Sequence, residues 1–139
     1  MSREFNPNDI KIDQEIPPFK VKIDHKKYRK YNKLIKEINP IHMSKMYAQK
    51  IGYEDIVIAG NFLFTYIPKW IIDWIGDVNV IKKATVKFEN PVYPYDEIIH
   101  KGSIVDIKER NEKKIIKCDY NVEKISGERT SYGTIVISL

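Results

Sequence analysis

The segment Asn61-Phe-Leu-Phe-Thr-Tyr-Ile-Pro-Lys-Trp-Ile-Ile-Asp-Trp-Ile75 constrains this chain more than any other. It is too long for an ordinary strand and is apolar almost all round, the pattern of a helix buried on every side. Pro68 lies inside it and is expected to kink or break the helix. A helix of this kind has to be wrapped by other elements. Val80–Phe88, Glu97–Ile107, Lys113–Glu123 and Thr130–Ser138 are rich in Ile, Val and Tyr and read as four successive strands. The alternation is clearest where Ile116, Cys118, Tyr120 and Val122 oppose Lys117, Asp119, Asn121 and Glu123. Asn111 and Ser126-Gly127 mark two hairpin turns.

Strands joined by short turns pair antiparallel, and such a sheet needs one face covered. Only the 61–75 helix is apolar enough to cover it. The expected fold class is therefore α+β, a sheet around one central helix, which is the hot-dog architecture. Upstream, residues 1–18 are polar and proline-punctuated and read as an arm, leaving residues 19–139 as one domain. Phe19–Ile23 reads as a short strand. Asp24 is a plausible N-cap for a helix whose inner face is Tyr28, Tyr31, Leu34, Ile35 and Ile38, ended by Asn39-Pro40. A second short helix follows, capped by Ser44, with Tyr47, Ala48 and Ile51 inward and Gly52 as its stop.

Composition excludes more than it assigns. The 24 basic residues are interleaved with 19 acidic ones along the whole chain, so the net charge of +5 reads as solvated surface and no nucleic acid is expected. That modest excess also suits an anionic ligand such as coenzyme A, or an acidic carrier protein. No apolar run reaches the roughly 18 residues of a membrane span, so no membrane partner is expected. Cys118 is the single cysteine, which rules out an intrachain disulfide and leaves no structural zinc or other metal to expect. The first residues lack the apolar core of a secretory signal, and a cytoplasmic setting is the expectation.

Chemistry concentrates in Tyr31-Asn-Lys-Leu-Ile-Lys-Glu37-Ile38-Asn39-Pro40-Ile41-His42, with Ala48 six positions further on. Taken singly, His42 is a turn residue and Glu37 a solvated helix-end charge. Together they form an ordered set: an aromatic residue, helical residues, an acid, Asn-Pro, an aliphatic residue, a histidine and a small residue. That order resembles the signature of the MaoC-like (R)-specific enoyl thioester hydratases. The resemblance continues through Gly52, Ile58-Ala59-Gly60 and Val86-Lys-Phe-Glu-Asn-Pro-Val-Tyr-Pro-Tyr-Asp96, and spans the chain from about residue 19 onward.

The resemblance implies a cofactor-free hydratase or dehydratase acting on acyl thioesters of coenzyme A or acyl carrier protein. Such chemistry needs a base for water, an acid for the α-carbon, and donors for the thioester oxygen. Carried over residue by residue, the catalytic pair is His42 and Glu37. Gly60 offers the oxyanion N–H at the start of the central helix, and Asn39 with Pro40 shapes the turn between acid and histidine. Three positions depart from the family pattern. Its Gly-Asp is Lys36-Glu37 here, the His-Gly of its oxyanion turn is Ala59-Gly60, and the glycine of its Pro-Gly-Asp turn is Tyr95. Family members work as homodimers or as heteromers of catalytic and supporting subunits. The rival expectation is therefore a non-catalytic hot-dog subunit that shapes a partner's acyl site. A thioesterase shares the fold but leaves the Asn-Pro-x-His turn unexplained.

Overall fold

The computed structural model describes residues 5–139. Strand β1 (Glu15–Lys22) leads into helix α1 (His25–Leu34), a 3-10 turn at Pro40–His42, and helix α2 (Lys45–Lys50). The apolar segment forms α3 (Gly60–Phe64) and α4 (Tyr66–Ile75). Strands β2 (Ile81–Ala84), β3 (Lys87–Phe88), β4 (Glu97–Arg110), β5 (Lys113–Lys124) and β6 (Arg129–Ser138) follow. One six-stranded antiparallel sheet runs in the order β1-β4-β5-β6-β2, with β3 also pairing β6. This is the α+β hot-dog fold. No helix of the described residues is long and apolar enough to cross a membrane.

The sheet's inner face carries the expected alternation. Ile98, Ile104, Ile116, Cys118, Ile135 and Ile137 are buried against Trp70 and Ile71 of α4. Gly102 makes room for this contact, since a Cβ there would lie 3.0 Å from the Trp70 ring and 2.8 Å from the Asp119 carbonyl oxygen. The β4–β5 turn places Asn111 and Glu112 at φ +50° and +64°, as a two-residue hairpin of the favoured twist requires. Gly127, at φ +100°, closes the turn between β5 and β6.

The central helix breaks at Thr65, whose N–H and hydroxyl both donate to the Phe62 carbonyl. Pro68 explains the position. It cannot tolerate a helical carbonyl at Phe64 but fits the first turn of a new helix, where no N–H is needed. Val80–Phe88 is likewise two strands rather than one. β1 starts at Glu15 rather than Phe19 and takes in Pro17 and Pro18, which an edge strand tolerates, across a register shift between Ile16 and Phe19. The Pro17 carbonyl accepts from Trp70 Nε1 at 2.7 Å and ties this edge to the core.

The largest departure from the sequence reading is the end of α1. The helix stops at Leu34, and the expected inner residues Leu34, Ile35 and Ile38 are exposed, at 79%, 42% and 87%. Lys36 adopts a left-handed conformation at φ +54°. The Glu37 N–H then reaches back to the Asn32 carbonyl at 2.9 Å and Lys36 N–H to Lys33, a Schellman cap that turns the chain away before Asn39-Pro40.

Candidate active site

The Schellman cap delivers Glu37 to a turn held by both side-chain-to-backbone and backbone hydrogen bonds, the latter from His42 N–H to Asn39 and from Met43 and Ser44 N–H to Pro40. Glu37 Oε1 accepts from the N–H groups of Ile38 (3.1 Å) and Asn39 (3.0 Å). Asn39 Oδ1 accepts from Ile41 N–H at 3.2 Å and caps the 3-10 turn, with Pro40 at its first position. Asn39 is exposed, and its observed work is this cap. The turn ends on His42, and Ser44 then caps α2 through Tyr47 N–H.

Among the described residues the His42 ring is held by one contact, Nδ1 to the Val57 carbonyl oxygen at 2.7 Å. A carbonyl only accepts, so Nδ1 carries a proton, and Nε2 has no partner among the described residues. Ile41 and Val57 are themselves joined, Val57 N–H donating to the Ile41 carbonyl at 2.9 Å, so the segment before the central helix is zipped to the histidine turn.

The common neighbour of the site groups is Tyr28, which the sequence reading placed in the core without a role. It is fully buried, and its hydroxyl donates to the His42 carbonyl at 3.0 Å while accepting from Ala59 N–H at 3.0 Å. Burial raises its pKa above the ordinary phenol value. Hydrogen bonds from Asn32 and Ala59 oppose this, and the negative charge of nearby Glu37 adds to the rise. The phenol therefore stays protonated as a neutral donor. Around it the fold gathers Asn32, Glu37, His42 and the Ala59-Gly60 turn. A buried Tyr and Asn four residues apart on one helix face were the available signal, but helical spacing alone does not distinguish a polar hub from packing.

Gly60 opens α3, and its N–H has no acceptor among the described residues. A Cβ at this position would lie 2.6 Å from the ring of the half-exposed Phe88, which would have to swing aside for any larger residue. The break at Thr65 leaves α3 with five residues. What Gly60 offers is a directed N–H rather than the dipole of a long helix.

A narrow slot of about 10 Å³, room for one water at most, lies between the central helix and the sheet. Leu63, Ile67, Phe88, Ile98, His100 and Val122 help line it. His100 is buried in β4, its pKa lowered to about 4, mainly by desolvation and against a hydrogen bond to the Phe19 carbonyl at 3.2 Å. A far larger depression of about 1070 Å³ lies against β1, β4, β5 and β6. None of Glu37, His42 or Gly60 lines it, and size alone does not make it the site of chemistry. Among the described residues no three His, Cys, Asp or Glu side chains cluster as metal ligands.

The family model described as MaoC like domain matches residues 7–126. The chain belongs to the MaoC-like domain family. A curated relative, the mitochondrial 3-hydroxyacyl-[acyl-carrier-protein] dehydratase FERN of Solanum lycopersicum, is 29% identical over 97 residues, which cover 70% of this chain and 58% of the relative's length. The chain thus spans somewhat more than half of that protein. Among solved structures, the (R)-hydratase from A. caviae involved in PHA biosynthesis superposes with a TM-score of 0.79 at 15% identity, covering 93% of this chain and 96% of that one. The HadBC (3R-hydroxyacyl-ACP dehydratase) complex from Mycobacterium tuberculosis gives a TM-score of 0.73 at 17% identity, covering 92% and 96%. At such identities these two likenesses show the fold.

The three positions set apart in the sequence analysis each have a physical environment. Lys36 adopts the left-handed backbone that glycine enters without cost. Ala59 is buried, its N–H engaged by Tyr28. Tyr95 lies at a turn that needs no positive φ, and its hydroxyl donates to Glu54 at 2.7 Å.

Proposed function

We propose that this MaoC-like chain is a hydratase or dehydratase that interconverts 2-enoyl and 3-hydroxyacyl thioesters of coenzyme A or acyl carrier protein, with no cofactor. The observation that carries the reading is the His42 tautomer. Its Nδ1–H is anchored on the Val57 carbonyl, which leaves Nε2 to act as a base, while Tyr28 ties the His42 carbonyl to the Ala59 N–H just before Gly60. In the hydration direction His42 Nε2 removes a proton from water as the water oxygen bonds to the β-carbon. The electron pair of the enoyl double bond moves toward the thioester oxygen, where Gly60 N–H stabilises the developing charge. The α-carbon then takes up the proton, and every atom of the water ends in the 3-hydroxyacyl product. Glu37 Oε1 is engaged by two turn amides, which leaves Oε2 to orient the water.

A second reading, a supporting hot-dog subunit for another chain's acyl site, draws on the same Glu37 contacts, because a carboxylate bound to its own turn is partly withdrawn from chemistry. In either reading the protein works as a homodimer or heteromer. Leu34, Ile38 and Met46 are at least 79% exposed next to the site, and β1 and β2 leave unpaired edges. Incubating the purified protein with crotonyl coenzyme A and following loss of the enoyl absorbance separates the two readings. Turnover by this chain alone supports the enzyme. Turnover only after a second hot-dog subunit is added supports the auxiliary role.

A further inference from the structure

The positive charge of this chain collects on one element. Residues 25–36 hold six of the 24 basic residues and none of the 19 acidic ones, which leaves 18 basic against 19 acidic residues everywhere else. Helix α1 and its end therefore carry the whole excess. Lys26, Arg29, Lys30 and Lys33 share the face turned away from the buried Tyr28 and Asn32, with Lys27 and Lys36 flanking it, and all six are exposed. Among the described residues none of the six is in an ion pair. The acids at either end do not pair with them. Asp24 accepts from the N–H groups of Lys26 and Lys27, and Glu37 from those of its own turn. Such an arrangement works against the helix, because like charges three and four residues apart repel and Lys26 and Lys27 meet the positive end of its dipole.

Shape and place select what this surface binds. Small anionic ligands are held in concave sites, whereas α1 is a convex rod of ten residues, about 15 Å long. None of its six cations lines either cavity described above. A second copy of this chain would bring the same six cations against it. What fits is an extended acidic surface on another protein. The helix is also one wall of the reaction site, since Tyr28 on its inner face donates to the His42 carbonyl at 3.0 Å and the Asn32 carbonyl accepts from Glu37 N–H at 2.9 Å.

We infer that the outer face of α1 docks an acidic carrier protein, which makes acyl carrier protein rather than coenzyme A the carrier of this chain's thioester substrate. The inference rests on the hydratase reading above for the acyl group itself. A helix is about 10–12 Å across, so the long phosphopantetheine arm of a protein seated on α1 reaches around it to the His42 turn. Exposed charges of this kind speed encounter and decide which partner is accepted, and salt screens them.

The test measures hydration of crotonyl coenzyme A and of crotonyl-loaded bacterial acyl carrier protein by native protein and by the triple variant Lys26→Glu/Arg29→Glu/Lys30→Glu. Association of fluorescently labelled carrier protein is followed by anisotropy at low and high salt. The three side chains are exposed and acids suit the start of a helix, so the variant should keep the native circular dichroism. Native protein should have the higher kcat/KM on the carrier-protein substrate. The variant should raise KM for that substrate about 10- to 100-fold relative to KM for the coenzyme A substrate, and binding of labelled carrier protein should weaken as salt rises. Equal KM changes for the two substrates, or a native preference for coenzyme A, overturn the inference and leave the hydratase reading intact. Tighter binding of a labelled DNA duplex than of the carrier protein also overturns it. Absence of turnover on both substrates defeats the hydratase reading instead. Salt-sensitive carrier-protein binding that the triple variant loses then still supports the docking surface, and no such binding overturns it too.

Discussion

His100 makes a pH dependence of stability calculable. It is 1% exposed, packed among Phe19, Tyr66 and Trp70, with its pKa lowered from 6.5 to about 4 by burial. A depressed histidine pKa means that between those values the unfolded chain binds the proton and the folded chain does not. Stability is therefore fully present above pH 6.5 and falls as the pH drops toward 4. At about 1.36 kcal/mol per pH unit the loss across the interval approaches ~3 kcal/mol, most of it reached by pH 4.5. No discount for solvent screening applies to a ring this deeply enclosed. The assay is urea denaturation at pH 7.5 and pH 4.5 for the native protein and His100→Gln, whose amide keeps a donor for the Phe19 carbonyl. Carboxylates weaken both proteins in acid, so the difference between the two is the measure. The native protein should lose about 2 kcal/mol more than His100→Gln, on the order of a large fraction of a domain's total stability. Equal losses in the two would refute the reasoning, because they would place the acid sensitivity elsewhere.

Three further outcomes follow from single contacts. Lys36→Gly, which relieves a left-handed lysine at the cost of a more flexible unfolded chain, should stabilise by about 0.5–1 kcal/mol in denaturant titrations and leave hydration activity in place. Gly102→Ala should destabilise by about 1–3 kcal/mol in the same titration, since its methyl group meets backbone oxygen and the Trp70 ring at once. Tyr28→Phe removes the acceptor of Ala59 N–H and the donor to His42, and should cost about 1–3 kcal/mol of stability. Steady-state kinetics should also show its kcat falling more than its KM rises.

Much of the fold was legible because strand alternation and turn chemistry are local. Ile116, Cys118, Tyr120 and Val122 point inward as their spacing implies, and Asp24 and Ser44 cap the helices they precede. The α1 terminus was not legible, because a lysine carries no mark of the left-handed backbone that Lys36 adopts. The split central helix was half legible. Pro68 announced a break, but its place at Thr65 depends on which carbonyl the ring would strike. At the site, Glu37, Asn39, His42 and Gly60 stand out as an ordered motif. Tyr28 and Asn32 do not, because their polar atoms acquire meaning only when Val57, Ala59 and the Glu37 turn fold against α1.

The most direct test of the account is the rate of crotonyl coenzyme A hydration by native protein and by His42→Ala under identical conditions. A base anchored through Nδ1 on Val57 predicts turnover in the native protein and a loss of at least about 100-fold in the variant, with the folded state retained by circular dichroism. Equal rates in the two proteins would contradict it, because Nε2 of His42 would then have no part in the chemistry.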